Sequence, residues 1–400
     1  MGKKIVKILA AALSCVLLAA LLCVGLMDYF VPAEVTVCAE EDLPSYPCVA
    51  LSEREKVEDT EMFRVSTVSA KLFGIINLKK IQVREYRDIA LIPGGMNFGV
   101  RMLTDGVMVV GVSEVTSGGK ACNPAADAGL KEKDIIITID GKKVTSVAQV
   151  TALFESTGGR AVCVRCRRGE EEMEFRVTPV RADADGKYKT GIWVRDTSSG
   201  IGTVTFIVPG TGAFGALGHG IFDPDTGARA PLSRGTVTDV VISNIVKGSA
   251  GTPGELRGYL KGEKKGTVIS NTDCGVYGVL SDCREGNAIP VAPASEVKTG
   301  KASIYCTLED GRRQQYEIEI TAINQKGKTK SFTVKVTDPA LLARTGGIVQ
   351  GMSGSPILQN GKLIGAVTHV FINDPTGGYG IFIENMLDEM PEALSPGATD

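Results

Sequence analysis

Histidine is nearly absent: the 400 residues hold two, His219 and His369. No HExxH motif occurs, which excludes the usual zinc metalloprotease pairing of two histidines one helical turn apart. Any mechanism that uses imidazole as a general base must draw on one of these two residues. An excess of either charge is lacking as well. With 44 Lys+Arg against 46 Asp+Glu, the formal net charge is -2, without the basic footprint of a nucleic-acid-binding domain. Neither a phosphate-cradling glycine loop nor a set of metal ligands can be read, so no cofactor and no metal are expected. Helical stretches are few, and the 48 glycines follow no fixed period. A mainly β architecture with many turns is the expectation, and the length suffices for two or three domains.

Ten cysteines are present, and none decides the function. Cys163 and Cys166 imitate a CxxC, yet they lie in the alternating run Ala161-Val162-Cys163-Val164-Arg165-Cys166. Residues three apart on a strand face opposite ways, so a shared metal is not expected. Cys274 and Cys283 are spaced to bridge a short loop in an oxidising compartment, or to remain buried thiols.

The chemistry concentrates near the end of the chain, in Gly351-Met352-Ser353-Gly354-Ser355-Pro356. Glycines on both sides of a serine permit the tight turn that exposes a nucleophilic hydroxyl. The same turn can aim the amides of Gly351 and Ser353 into one hollow, as an oxyanion hole requires. Asn360-Gly361 between two apolar runs then marks a hairpin. A serine hydroxyl is a poor nucleophile at neutral pH and needs an imidazole to take its proton. His219, in the glycine-flanked segment Gly218-His219-Gly220, is the favoured base, and His369 is the other candidate. A carboxylate is expected to orient the base; Asp338 is favoured, with Asp239 and Asp374 as competitors.

The chain begins with Lys3, Lys4 and Lys7 and then about twenty uncharged residues from Ile8 to Met27, enough to span a bilayer. An uncleaved signal-anchor over residues 1–31 is favoured, with a cleaved signal peptide as the rival; on either reading the bulk of the chain is exported. Residues 32–91 read as a juxtamembrane linker and leading strands. Over 92–181 the run PAADAGLKEKDIIITIDGKKV resembles a PDZ domain. The resemblance implies that Asn97-Phe98-Gly99-Val100 is the loop that captures a peptide carboxylate while the peptide adds a strand to the sheet. Residues 182–400 carry recurrent short strands and both histidines.

Anchor, PDZ, a glycine-rich histidine segment and GGIVQGMSGSPILQNGKLIGAVTHVFINDPTGGYGIFIENML together resemble the SpoIVB sporulation peptidase family along essentially the whole chain. The resemblance implies a chymotrypsin-like double β-barrel serine endopeptidase with Ser353 as nucleophile, His219 as base and Asp338 as acid. It also implies location in the forespore intermembrane space, self-processing, and cleavage of a membrane-bound regulator of an intramembrane protease, which activates the late mother-cell sigma factor. Two departures stand out: Asp338 lies closer to the serine than a usual triad acid, and Met352 replaces the aspartate that usually precedes it. The rival reading is an inactive PDZ and protease-fold scaffold for protein binding. A housekeeping protease of the HtrA type is disfavoured, because there the PDZ follows the protease.

Overall fold

The computed structural model describes residues 31–37, 46–59, 63–86, 89–282 and 286–396, with scattered positions among 14–30 and 43–45. Among the described residues no helix is long and apolar enough to cross a membrane. The anchor expected over Ile8–Met27 lies largely outside them, as does Cys283.

In the segment expected to hold a linker and leading strands, Glu34–Val37, Val49–Leu51, Glu55–Asp59, Phe63–Leu72 and Ile76–Tyr86 form a five-stranded sheet. Alternation along the two long strands sends Val68, Ala70, Ile81 and Val83 into a small core with Val31 and Val37. Arg84 ties this sheet to the far end of the chain through Asp388, on the helix Ile383–Asp388.

Two closed six-stranded barrels follow. The first runs through the start of Asn97–Val112, Arg234–Val246, Glu255–Thr272, Gly275–Leu280, Ala213–Ala216 and the end of Ile192–Ile207, which returns to pair with Asn97–Leu103. Phe98, Val100, Met102, Val204, Phe214 and Val237 fill it. The second comprises Gly300–Thr307, Arg313–Ile323, Phe332–Val336, Gly377–Phe382, Lys362–Val370 and Pro356–Gln359. Tyr316, Ile318 and Ile320 point inward while Glu317 and Glu319 face water, as their alternation predicts. The Asn360-Gly361 turn closes its hairpin with both residues at positive φ, the geometry that matches strand twist. Cys163 is exposed and Cys166 buried, on opposite faces of their strand.

The PDZ-like unit does not precede the barrels; it is inserted into the first one. Asn97–Val112 begins as a barrel strand and ends in the insert, and Ile192–Ile207 makes the return trip. Between them lie helices Pro124–Ala128 and Val147–Glu155 and strands Ile135–Ile139, Val162–Arg168 and Glu171–Val177, around Val107, Val109, Ile136, Val150, Phe154 and Val164. Linear reading puts a boundary between elements, whereas here two strands cross it with only a bulge at Thr104–Gly106.

This insertion overturns the assignment of Asn97-Phe98-Gly99-Val100 as a carboxylate-binding loop. Phe98 and Val100 are barrel core, and Asn97 donates through its side chain to the Thr307 carbonyl of the second barrel at 2.8 Å. The backbone of 97–100 is paired on one side with Gly200–Thr203, and at Gly99 and Val100 it is paired on the other as well, with Thr238 and Val237, so the edge at these two residues is closed to a peptide.

Candidate active site

The serine loop is built from its ends inward. Asp338 caps the helix Pro339–Thr345 by accepting from the amides of Ala340 and Leu341, and Gly346 at φ +76 closes it. From there the chain enters Gly347–Gly354, held from outside by the hairpin Arg234–Val246/Glu255–Thr272. Leu256 N–H donates to the Gln350 carbonyl, and Gln350 N–H to that of Gly254, both at 2.8 Å.

Peptide planarity then sets which groups remain free. The N–H and C=O of one trans peptide point opposite ways. The Gln350 carbonyl is pinned by Leu256, and that of Met352 by Ser355 N–H at 2.9 Å. The amides of Gly351 and Ser353 are therefore turned the other way, and among the described residues they donate to no group. Gly351 allows this with φ +99, a conformation costly to any residue with a Cβ. Met352 between them is fully buried in the second barrel's core, where an aspartate would be an uncompensated charge.

His219 reaches the same place from the first barrel. After Ala213–Ala216 the chain passes through Leu217 and Gly218, both at φ +68. Leu217 is a rare left-handed apolar residue, the kind of backbone strain that gathers at functional sites. Gly218 lies flush on Thr368 and Ile381, and a Cβ there would come within 2.9 Å of both side chains. Ser353 Oγ donates to the Thr368 carbonyl at 2.6 Å, and the His219 and His369 rings lie 4.9 Å apart. Ser353, His219 and His369 thus converge on one turn of strand Lys362–Val370. The Nδ1 of His219 lies 2.7 Å from the Gly220 carbonyl. A carbonyl only accepts, so Nδ1 carries the hydrogen and Nε2 keeps the lone pair a base needs.

The expected acid is not there. Asp338 spends its carboxylate on helix capping and on Glu317 N–H, Asp239 pairs with Lys265, and Asp374 holds Thr376. Among the described residues no carboxylate hydrogen-bonds His219, and the Gly220 carbonyl does the orienting. A cap and a triad acid differ sharply in their response to Asp338→Asn. Asn caps as well as Asp, so the helix loses well under 1 kcal/mol and turnover should stay within a few-fold of wild type. A triad acid would lose about 10⁴-fold in kcat. Steady-state kinetics of the variant separates the two.

Burial holds the His219 imidazole below its ordinary 6.5, against the upward pull of the Gly220 carbonyl. His369 is held down to about 4, by desolvation first and then by the charge of His219 and Lys330. Lowered pKa values favour the neutral rings, so the base stays available as pH falls past 6.5 and is lost only below its own depressed value. The acid limb of kcat/KM should have its midpoint below 6.5; a midpoint at or above it would contradict this environment for the base. The stability these neutral rings contribute is complete above pH 6.5 and declines as pH falls below it.

Against this geometry, the family model for SpoIVB peptidase S55 matches residues 186–387, just over half of the chain. The chain belongs to the SpoIVB peptidase S55 family. A PDZ domain model matches residues 94–178, within the SpoIVB-type combination of PDZ and peptidase. Serine protease HTRA1 of Xenopus laevis is 46% identical over 56 residues, which is 14% of this chain and 12% of that protein. HTRA1A of Danio rerio is 33% identical over 81 residues, 20% of this chain and 15% of the relative. The chain therefore spans about an eighth of the length of the curated relatives it matches. Among solved structures, the Rv3671c protease of M. tuberculosis in its active form is 17% identical, covers 51% of this chain and 76% of its own, and has a TM-score of 0.31. The PDZ domain of the SdrC-like protein of Listeria monocytogenes is 25% identical over 22% of this chain and 87% of its own, with a TM-score of 0.18.

A second candidate site was missed by the sequence reading. Strand Ile192–Ile207 starts beside helix Val147–Glu155, and among the described residues its first residues pair on one edge only, with Met108–Val112. Between strand and helix a groove encloses about 460 Å³, lined by Val150, Thr151 and Phe154 on the helix and Gly191, Ile192 and Val194 on the strand. Trp193 stands 64% exposed at its edge, anchored through its indole N–H to Ser113 Oγ at 2.9 Å. The signal was legible: Thr190-Gly191-Ile192-Trp193-Val194 is a glycine followed by apolar residues, like the run at 97–100, but it lies beyond the segment taken for the module.

Proposed function

We propose that the chain is a serine endopeptidase in which Ser353 attacks the scissile carbonyl, His219 Nε2 takes the hydroxyl proton and later delivers it to the leaving amine, and the Gly351 and Ser353 amides hold the oxyanion. The observation that carries this reading is the pair of outward-turned amides beside a serine whose hydroxyl is held by the Thr368 carbonyl, next to His369, whose ring lies 4.9 Å from that of His219. Before attack, the Ser353 hydroxyl leaves the Thr368 carbonyl and turns to His219. No metal enters this chemistry, and the proton path needs only the two side chains.

The groove between Gly191–Val194 and Val147–Glu155 is our reading of the peptide-binding site, in place of residues 97–100. A free strand edge beside an apolar helix face suits an extended peptide, main chain to main chain, with an aliphatic side chain against Phe154. The finer reading follows the family resemblance: an anchored, exported enzyme that processes itself and cleaves a membrane-bound regulator of an intramembrane protease during sporulation.

The test is a fluorophosphonate probe on the full-length protein, with intact mass followed over time. One adduct, mapped to the peptide containing Ser353, together with time-dependent trimming of the chain, is the expected result. A folded protein that stays unlabelled and whole would favour the binding scaffold.

A further inference from the structure

Both catalytic loops hang from a single strand. Thr203, on Ile192–Ile207, donates through its hydroxyl to the Gly351 carbonyl at 2.8 Å and through its amide to the Ser353 carbonyl at 3.0 Å. Thr205, two residues on and facing the same way, donates through its hydroxyl to the Gly354 carbonyl at 2.8 Å. Both threonines are fully buried. The peptide joining Gly351 to Met352 sits between the two outward amides, so its orientation helps set theirs, and the Thr203 hydroxyl fixes it.

Near its other end the same strand carries Arg195. Its guanidinium forks across Asp223 at 2.6 Å and Asp225 at 2.5 Å, in the turn that follows His219-Gly220. Asp223 is 2% exposed. Its other oxygen accepts from the amides of Asp225 and Thr226 and from the Thr226 hydroxyl. These donors and Arg195 together keep its carboxyl ionised despite burial. A buried carboxylate that loses its cation must move or protonate, and the backbone built around it goes with it. Of the neighbours of Arg195, Val194 lines the groove, and the Asp196 carboxylate accepts from Val147 N–H at the start of the helix that forms its other wall, at 2.8 Å.

We propose that Arg195, Thr203 and Thr205 are positioning residues for peptide hydrolysis, Arg195 setting the His219 loop and the two threonines setting the oxyanion loop from one strand. None touches substrate. The proposal rests on the reading of Ser353 and His219 above, and it assigns the strand shared by groove and barrel as the part that fixes their relative placement.

Positioning predicts a loss in kcat with KM held, because misplaced donors weaken the transition state more than the bound substrate. Thr203→Val keeps the shape and removes the hydroxyl; Thr203→Ser keeps the hydroxyl. Arg195→Met keeps the length and removes the fork, and Arg195→Lys returns a charge without bidentate geometry. Each loss variant should lower kcat and the rate of fluorophosphonate labelling by roughly 10²-fold, the scale of an ångström-sized misplacement of catalytic groups. Thr203→Ser should restore most of the rate and Arg195→Lys part of it. Thermal melts and circular dichroism define the folded fraction, and rates are taken per folded molecule. Folded Thr203→Val and Arg195→Met that label at the wild-type rate would overturn the proposal, as would losses confined to KM or proportional to unfolding. Failure of the wild type itself to label would instead refute the catalytic reading.

Discussion

Ser353→Ala and His219→Ala should each lower peptide hydrolysis by roughly 10⁴ to 10⁶-fold, and the double variant should fall no further than the worse single one. The non-additivity is the diagnostic part. Nucleophile and base carry out one proton-coupled attack, so removing either removes the step. What survives is the amide pair of Gly351 and Ser353, which stabilises an oxyanion whatever attacks. His369→Ala is the internal control. Its ring lies 4.9 Å from that of His219, near enough to be mistaken for the base. Yet it follows Thr368, whose carbonyl holds the resting serine hydroxyl, whereas His219 has its Nδ1 fixed and its Nε2 free. A residue that transfers no proton forfeits none of the about 10²–10⁴-fold that general-base catalysis supplies, so His369→Ala should cost less than tenfold. The measurement is initial rate against a peptide cut by the wild type, with labelling of Ser353 as a second readout. A larger loss in His369→Ala than in His219→Ala would exchange their roles.

How much of this was legible beforehand depended on whether the signal was local. The serine loop was, because a glycine-bracketed serine and an Asn-Gly turn state their backbone requirements within a few residues. The alternation around Tyr316–Ile320 was legible for the same reason. Asp338 misled because an aspartate before a proline reads equally well as acid or cap, and only the fold shows its oxygens already occupied by Ala340, Leu341 and Glu317. The PDZ boundary misled more deeply. Asn97–Val112 and Ile192–Ile207 are 16-residue strands that pass from barrel to insert, and the only mark of the crossing is a bulge at Thr104–Gly106, with Gly106 at φ +98, inside what reads as one strand. The groove went unseen because its strand comes after the module that the PDZ-like run defines. Arg195 and the two threonines gave no signal at all, since their partners lie in turns brought near only by barrel closure.

The second large effect is expected at Gly354, and it depends on packing rather than proton transfer. Gly354→Ala should cost about 2–5 kcal/mol, from the left-handed conformation and from overpacking together. The residue sits at φ +94. A Cβ there would lie 2.0 Å from the Thr203 carbonyl oxygen, 2.5 Å from Leu217 N and 2.9 Å from Leu217 Cα. All three are backbone atoms, so no rotamer change can relieve them. Relief means moving strand Ile192–Ile207, the Leu217-Gly218-His219 approach, or the serine loop itself, and each move separates nucleophile from base or tilts the oxyanion amides. Turnover per folded molecule should therefore also fall by at least about 10²-fold. Gly361→Ala provides the contrast: it too has positive φ, at +77, but nothing lies within 4 Å of its would-be Cβ. It should pay only the conformational cost of about 1–2 kcal/mol and keep its activity. Melting temperature and kcat measured on the two variants side by side test this. If Gly354→Ala behaves like Gly361→Ala, the close approach of the two barrels at the serine is not what sets the active geometry.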